Sequence, residues 1–156
     1  MSEFRTLIVA AALVALVGCG QQPADQTAAD AKASAAAATD AAVSKADITT
    51  LLAQADLKQG ERAFIQCRAC HSLEAGGINK VGPNLYGVFD QPAGQVEGFN
   101  YSEALLGAGL VWNLETTDAW LERPSTLVPG NRMVFAGIRD PQQRANLIAY
   151  LLQETQ

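Results

Sequence analysis

The sequence predicts an all-α domain over its C-terminal two-thirds, and three observations carry that expectation. No stretch alternates apolar and polar residues for long enough to make a strand. Helix start signals recur instead: Asp56 stands before Leu57, Ser102 before Glu103, and Asp140-Pro141 pairs a capping acid with proline at the first helical position. Between them, Gly76-Gly77, Gly82-Pro83-Asn84 and Pro129-Gly130 punctuate turns. With 156 residues the chain suits one modest domain and its appendages.

The appendages come first. Thr6 to Gly18 carries no charge, and this run of about a dozen apolar residues is too short for a bilayer span, which needs roughly 20. It suits the apolar region of a secretory signal instead. The run ends Leu16-Val17-Gly18-Cys19, which resembles a bacterial lipobox. Residues 1–18 are therefore expected to be a signal peptide, and Cys19 to be lipidated and become the new N-terminus. The alternative is an uncleaved signal anchor with an idle cysteine. From residue 19 to 52 alanine dominates, with scattered acids and small polar residues. Such a stretch favours local helix but buries no core, so it is expected to be a tether spanning about 30 Å as a flexible chain.

The domain is expected over 53–156. Asp56 caps a helix predicted from Leu57 to about Cys67, with Gly60 and Phe64 on one face. Glycine costs near 1 kcal/mol in an exposed helix, so Gly60 implies close approach by another element. The apolar set Leu147, Ile148, Leu151 and Leu152 marks a C-terminal helix after Pro141, with Tyr150 alongside. These terminal helices are expected to cross at Gly60. A short helix should start after Ser102, and another near Thr116 or Thr117 should end before Pro124.

Cys67-Arg68-Ala69-Cys70-His71 carries the chemistry. Two thiols two residues apart, followed at once by an imidazole, form a c-type haem attachment signature. The sulfurs reach the two vinyl groups of one porphyrin as thioethers, and the histidine aims a ring nitrogen at the iron. A zinc site would lack ligands, because His71 is the one histidine and Cys19 the one further cysteine. A redox dithiol normally follows a βα turn, and no strand pattern precedes this motif. The expected cofactor is one haem c, held covalently through Cys67 and Cys70. Low-spin c-type haems add a second histidine or a methionine. Met1 leaves with the leader, so Met133 is the only thioether of the mature chain and the expected second iron ligand, opposite His71. The net charge of −5 argues against nucleic acid as a partner, and from Lys58 onward eight basic face ten acidic residues.

From about Asp56 to Leu152 the chain resembles a class I cytochrome c of the mitochondrial and bacterial short-haem-loop kind. The matching stretches are Gly60…Phe64…CRACH, Gly76-Gly77, Lys80 to Gly87, Gly98 to Ser102, Trp112, Pro129 to Ile138 and Leu147 to Leu151. The resemblance implies short helices wrapped around one haem. It implies that the Pro83 carbonyl accepts from the His71 ring, and that Tyr101 and Trp112 donate to a haem propionate. Asn131, where the family often has threonine, is counted with them among the expected haem contacts. Trp120 stands where a tyrosine is common. Gln91 stands where an arginine often supports a propionate, a change that should favour ferric haem. Basic residues remain at Arg62, Lys80, Arg132 and Arg139, but Gln66, Ser125 and Thr126 replace lysines of the usual docking ring.

The expectation is an exported, monomeric electron carrier rather than an enzyme. It would sit on the periplasmic face of the inner membrane and run between a cytochrome bc complex and a cytochrome c oxidase. A tether would raise the local concentration and lessen the need for long-range steering. The alternatives are a fixed electron-entry subunit of one oxidase or dehydrogenase, and a haem enzyme or gas sensor with an open iron face.

Overall fold

Two helices far apart in sequence pass each other where one of them has no side chain, and the other elements are arranged around that contact. The computed structural model describes residues 48–156. The predicted signal peptide, Cys19 and most of the expected tether lie outside the described residues. The elements are α1 (Ile48–Leu52), α2 (Leu57–Phe64), α3 (Glu103–Leu106), α4 (Leu114–Glu122), α5 (Pro124–Leu127) and α6 (Pro141–Glu154). Among the described residues the one β feature is an isolated antiparallel bridge between Pro92 and Val111, so the fold is all-α as expected.

Four of the described helices, α2, α3, α4 and α6, start where short polar side chains satisfy amides that would otherwise lack partners. The Asp56 carboxylate accepts from the amides of Lys58 and Gln59 at 2.8 and 3.1 Å. Ser102 accepts from Leu105 at 3.2 Å, and Asp140 from Gln143 at 2.8 Å, with Pro141 in the first turn. The helix expected from Thr116 or Thr117 starts earlier, at Leu114, because Asn113 supplies the cap, accepting from the Thr116 amide at 2.8 Å. Similarly, α2 ends at Phe64 rather than near Cys67, and the chain continues in turns through residue 70.

Residues 48–52, which the sequence reading puts at the end of the tether, pack against α6. Ile48 is only 5% exposed and lies in the same apolar cluster as Leu147, Ile148 and Leu151 of α6, with Leu51 and Leu52 packed against it. Gln142 of α6 donates to the Leu51 carbonyl at 3.3 Å, and the Asp56 amide donates to the Asn146 side chain at 2.9 Å. A five-residue helix has no stability of its own. Burying Ile48 contributes about 1.5–3 kcal/mol, and the packing rather than local propensity makes α1.

The crossing falls at Gly60, as expected. A Cβ there would stand 2.7 Å from the Tyr150 Cβ and inside contact distance of the Asn146 carbonyl oxygen. One turn on, Phe64 packs on Tyr150 with ring centroids 5.7 Å apart. A second tie runs from α6 to α4. Arg144, 2% exposed, forms a two-pronged pair with Asp118 at 2.6 and 3.1 Å, and donates to the carbonyls of Ile138 and Arg139 at 2.9 Å each. Nothing in the sequence marked this pair, whose members lie 26 residues apart. Substituting Gly60 by alanine is expected to lower the stability of the holoprotein by about 1–3 kcal/mol through overpacking. A urea midpoint equal to the wild type's would mean that the helices separate there without cost.

Candidate functional site

The site is built from the turn after α2, the loop that follows it, and the irregular segment before α6. Past Phe64 the chain winds through turns in which the amides of Cys70 and His71 both donate to the Cys67 carbonyl at 3.0 Å. Cys67 and Cys70 are half-buried and free, with no disulfide between them. Burial, and then the neighbouring Cys70, push the Cys67 thiol up to about 11, so it stays protonated at neutral pH. Among the described residues no three His, Cys, Asp or Glu side chains converge as a metal site would need.

The imidazole is aimed by the loop that returns beneath it. His71 Nδ1 lies 2.8 Å from the Pro83 carbonyl oxygen. An oxygen of that kind can only accept, so Nδ1 carries the proton and Nε2 presents its lone pair. Burial lowers the pKa of His71, the Pro83 contact opposes the shift, and the charge of Lys80 adds to it. The ring is accordingly neutral and free to ligate near pH 7. Gly82 explains why the ring fits: a Cβ there would lie 2.7 Å from both ring nitrogens and closer still to Cε1.

The rest of the loop is locked by contacts that the sequence did not reveal. Buried Asn84 accepts from the Tyr86 amide at 3.1 Å and donates to the carbonyls of Glu74 and Gly77 at 2.9 and 3.0 Å. The Asn84 amide is held in turn by Asn79 at 2.9 Å. Lys80 donates to the carbonyls of Arg68 and His71 at 2.8 and 3.1 Å, closing the attachment turn.

The methionine segment is neither helix nor strand from 131 to 138, and exposure alternates along it. Asn131, Met133 and Phe135 turn inward, while Arg132, Val134 and Ala136 face out. The apolar core comprises two clusters, and this segment touches both. Met133 packs with Trp120, Val128 and Leu105, whereas Phe135, like Cys67 and Leu85, packs with the cluster of Phe64, Leu121 and Leu147. Tyr101, Trp112 and Gln91, which the sequence reading linked to the propionates, meet around one cavity of about 370 Å³. Burial raises the Tyr101 pKa, keeping the phenol a donor. Trp112 stacks edge-on against Trp120 at 5.4 Å.

Asn131 behaves differently from the other expected haem contacts. Its amide nitrogen donates to the carbonyls of Pro124 and Val128 at 3.0 and 2.8 Å, and its oxygen accepts from the Met133 amide at 2.9 Å. Both of its hydrogens are thus committed to the chain.

An all-α domain that sets two free thiols and a neutral imidazole on one turn, with a thioether in a loop touching both core clusters, is a c-type haem domain. Comparison with known proteins agrees. Residues 57–155 match the family described as Cytochrome c. Cytochrome c2 of Blastochloris viridis is 43% identical over 98 residues, covering 63% of this chain and 77% of that protein. Cytochrome c of Chlamydomonas reinhardtii is 46% identical over 101 residues, covering 64% and 90%. Among solved structures, cytochrome cH from Methylobacterium extorquens superposes with a TM-score of 0.59 at 43% identity, covering 63% of this chain and 98% of that one. The chain belongs to the cytochrome c family. It carries haem c attached through Cys67 and Cys70, and it is an electron carrier.

A Gly82→Ala substitution is expected to displace the imidazole or its loop, costing about 1–3 kcal/mol. Unfolding of the holoprotein checks the cost and the His71 Nδ1–H resonance checks the displacement. An unmoved resonance at full stability would show that the loop yields freely.

Proposed function

We infer that this cytochrome is exported, lipidated at Cys19, and shuttles single electrons between membrane complexes, from a cytochrome bc complex to a terminal oxidase. The observation that carries the carrier role is the inward-facing Met133, the one methionine beyond Met1, in a loop that reaches both halves of the core. As second ligand it would leave the iron no open face for an enzyme or a gas sensor.

The bound haem supplies a reversible one-electron couple at iron. His71 would hold the iron through Nε2, its tautomer set by the Pro83 carbonyl, a partner of the kind that makes a ligating imidazole more basic. Met133 would be the second ligand, and its soft neutral sulfur would favour the reduced state. Tyr101 and Trp112, on the wall of one cavity, would donate to a propionate. Gln91 at that cavity is an amide where a cation would favour the ferrous form, so the two effects on the potential oppose. The Asn84 and Lys80 contacts fix the imidazole side, so the chain would rearrange little as the haem changed charge. The role is that of a carrier rather than an enzyme.

The anchor follows from Leu16-Val17-Gly18-Cys19. No described helix is long and apolar enough to cross a membrane. A lipid on Cys19 would hold the domain at the periplasmic face of the inner membrane as a monomer. There a high local concentration compensates for the lysines replaced by Gln66, Ser125 and Thr126.

Two measurements test this. The reduced holoprotein is expected to be low-spin, and the ferric form to show a weak long-wavelength sulfur-to-iron band that Met133→Ala abolishes. A high-spin wild type indifferent to that substitution would overturn the carrier reading. In cells fed labelled palmitate, the wild type is expected to take up label and remain with membranes, while Cys19→Ala takes up none. Equal labelling of the two would overturn the anchor.

A further inference from the structure

We propose that Asn131 is the positioning residue for the Met133 thioether, acting by fastening the methionine loop to α5 rather than by touching haem. This rests on the reading of Met133 as an iron ligand. All the hydrogen-bonding capacity of the Asn131 amide nitrogen goes to two carbonyls: Pro124 at the first residue of α5, and Val128 just past its end. Its own backbone amide also donates to the Val128 carbonyl, at 3.1 Å. Its oxygen accepts from the amide of Met133. One side chain therefore spans α5 at both ends and the backbone of the ligand residue.

Among the described residues no other side chain holds the Met133 amide. Gly130 before it takes a positive φ of 85°, so the turn itself offers little resistance to reorientation. After Met133, the amides of residues 134–137 have no hydrogen-bond partner among the described residues. The next backbone tie is Ile138, whose amide donates to the Leu121 carbonyl at 2.8 Å, with Arg144 on the carbonyls of Ile138 and Arg139. Arg132 reaches the Asn100 carbonyl, but from the exposed side of the loop. The ligand segment is thus held at its exit by Ile138 and Arg144 and at its entrance by Asn131. A side chain two residues before the sulfur controls whether the thioether or a competitor holds that iron face.

The test uses full-length ferric holoprotein with imidazole as the competing ligand. Four proteins are compared: wild type, Asn131→Ala, Asn131→Ser and, as a control for general destabilisation, Asn146→Ala at the α6–Asp56 contact. Asn131→Ala is expected to bind imidazole about five-fold more tightly, the equivalent of one lost hydrogen bond. Serine can accept from an amide two residues on but cannot reach both carbonyls, so it should fall between the two. Asn146→Ala should lower the urea midpoint and leave imidazole affinity unchanged. Should the alanine variant fail to take up haem, serine against wild type decides. Amide exchange in the wild type adds a second readout, with Met133 expected to be protected above Val134 and Phe135. Equal imidazole affinity in wild type and the Asn131 variants overturns the proposal, as does an Asn146→Ala effect of the same size. A wild type without the band overturns the ligand reading beneath it.

Discussion

The close passage of α2 over α6 at Gly60 is the contact on which the site depends. It is possible because residue 60 has no side chain to hold the Asn146 carbonyl and the Tyr150 Cβ away. The chain leaving α2 runs directly into Cys67, so the height of the crossing sets where the attachment turn lies. The same helix α6 also reaches the other side, where Arg144 grips Asp118 of α4 and the carbonyls that end the methionine loop. One helix therefore references both the imidazole and the thioether.

The electrostatics of the site are economical. The domain keeps its one fully desolvated guanidinium paired with a carboxylate and two carbonyls, which is the condition under which a buried charge is tolerated. On the attachment turn and in the methionine loop it uses neutral groups: an imidazole kept unprotonated by burial, and a thioether. The cavity of Tyr101, Trp112 and Gln91 offers neutral donors, and the one charged side chain on its walls is Glu97.

Capping residues and turn signals made much of this legible. Asp56, Ser102 and Asp140 each do in three dimensions what their residue type and position suggest, because a cap is satisfied within three or four residues of itself. Gly60 was readable for a related reason: a glycine inside a helical pattern is explained by something passing close by. Asn113 was missed as the cap of α4 because Thr116 and Thr117 offer the same chemistry three residues later, and only packing chooses among them. The helix at Ile48–Leu52 was missed because its burial comes from α6, which follows it in sequence by some ninety residues.

By itself the sequence determined the cofactor and its attachment, since CxxCH is a local chemical statement and a chain with one histidine leaves little choice. It determined the helical class and the crossing through periodicity, caps and one misplaced glycine. Only the tertiary structure decided what Asn131 does, what Arg144 holds, and where the packed domain begins. Each of those is a hydrogen bond or a burial between segments that do not adjoin in the sequence. Such contacts have no periodicity or spacing to announce them, because the energy that makes them appears only when the chain has closed on itself.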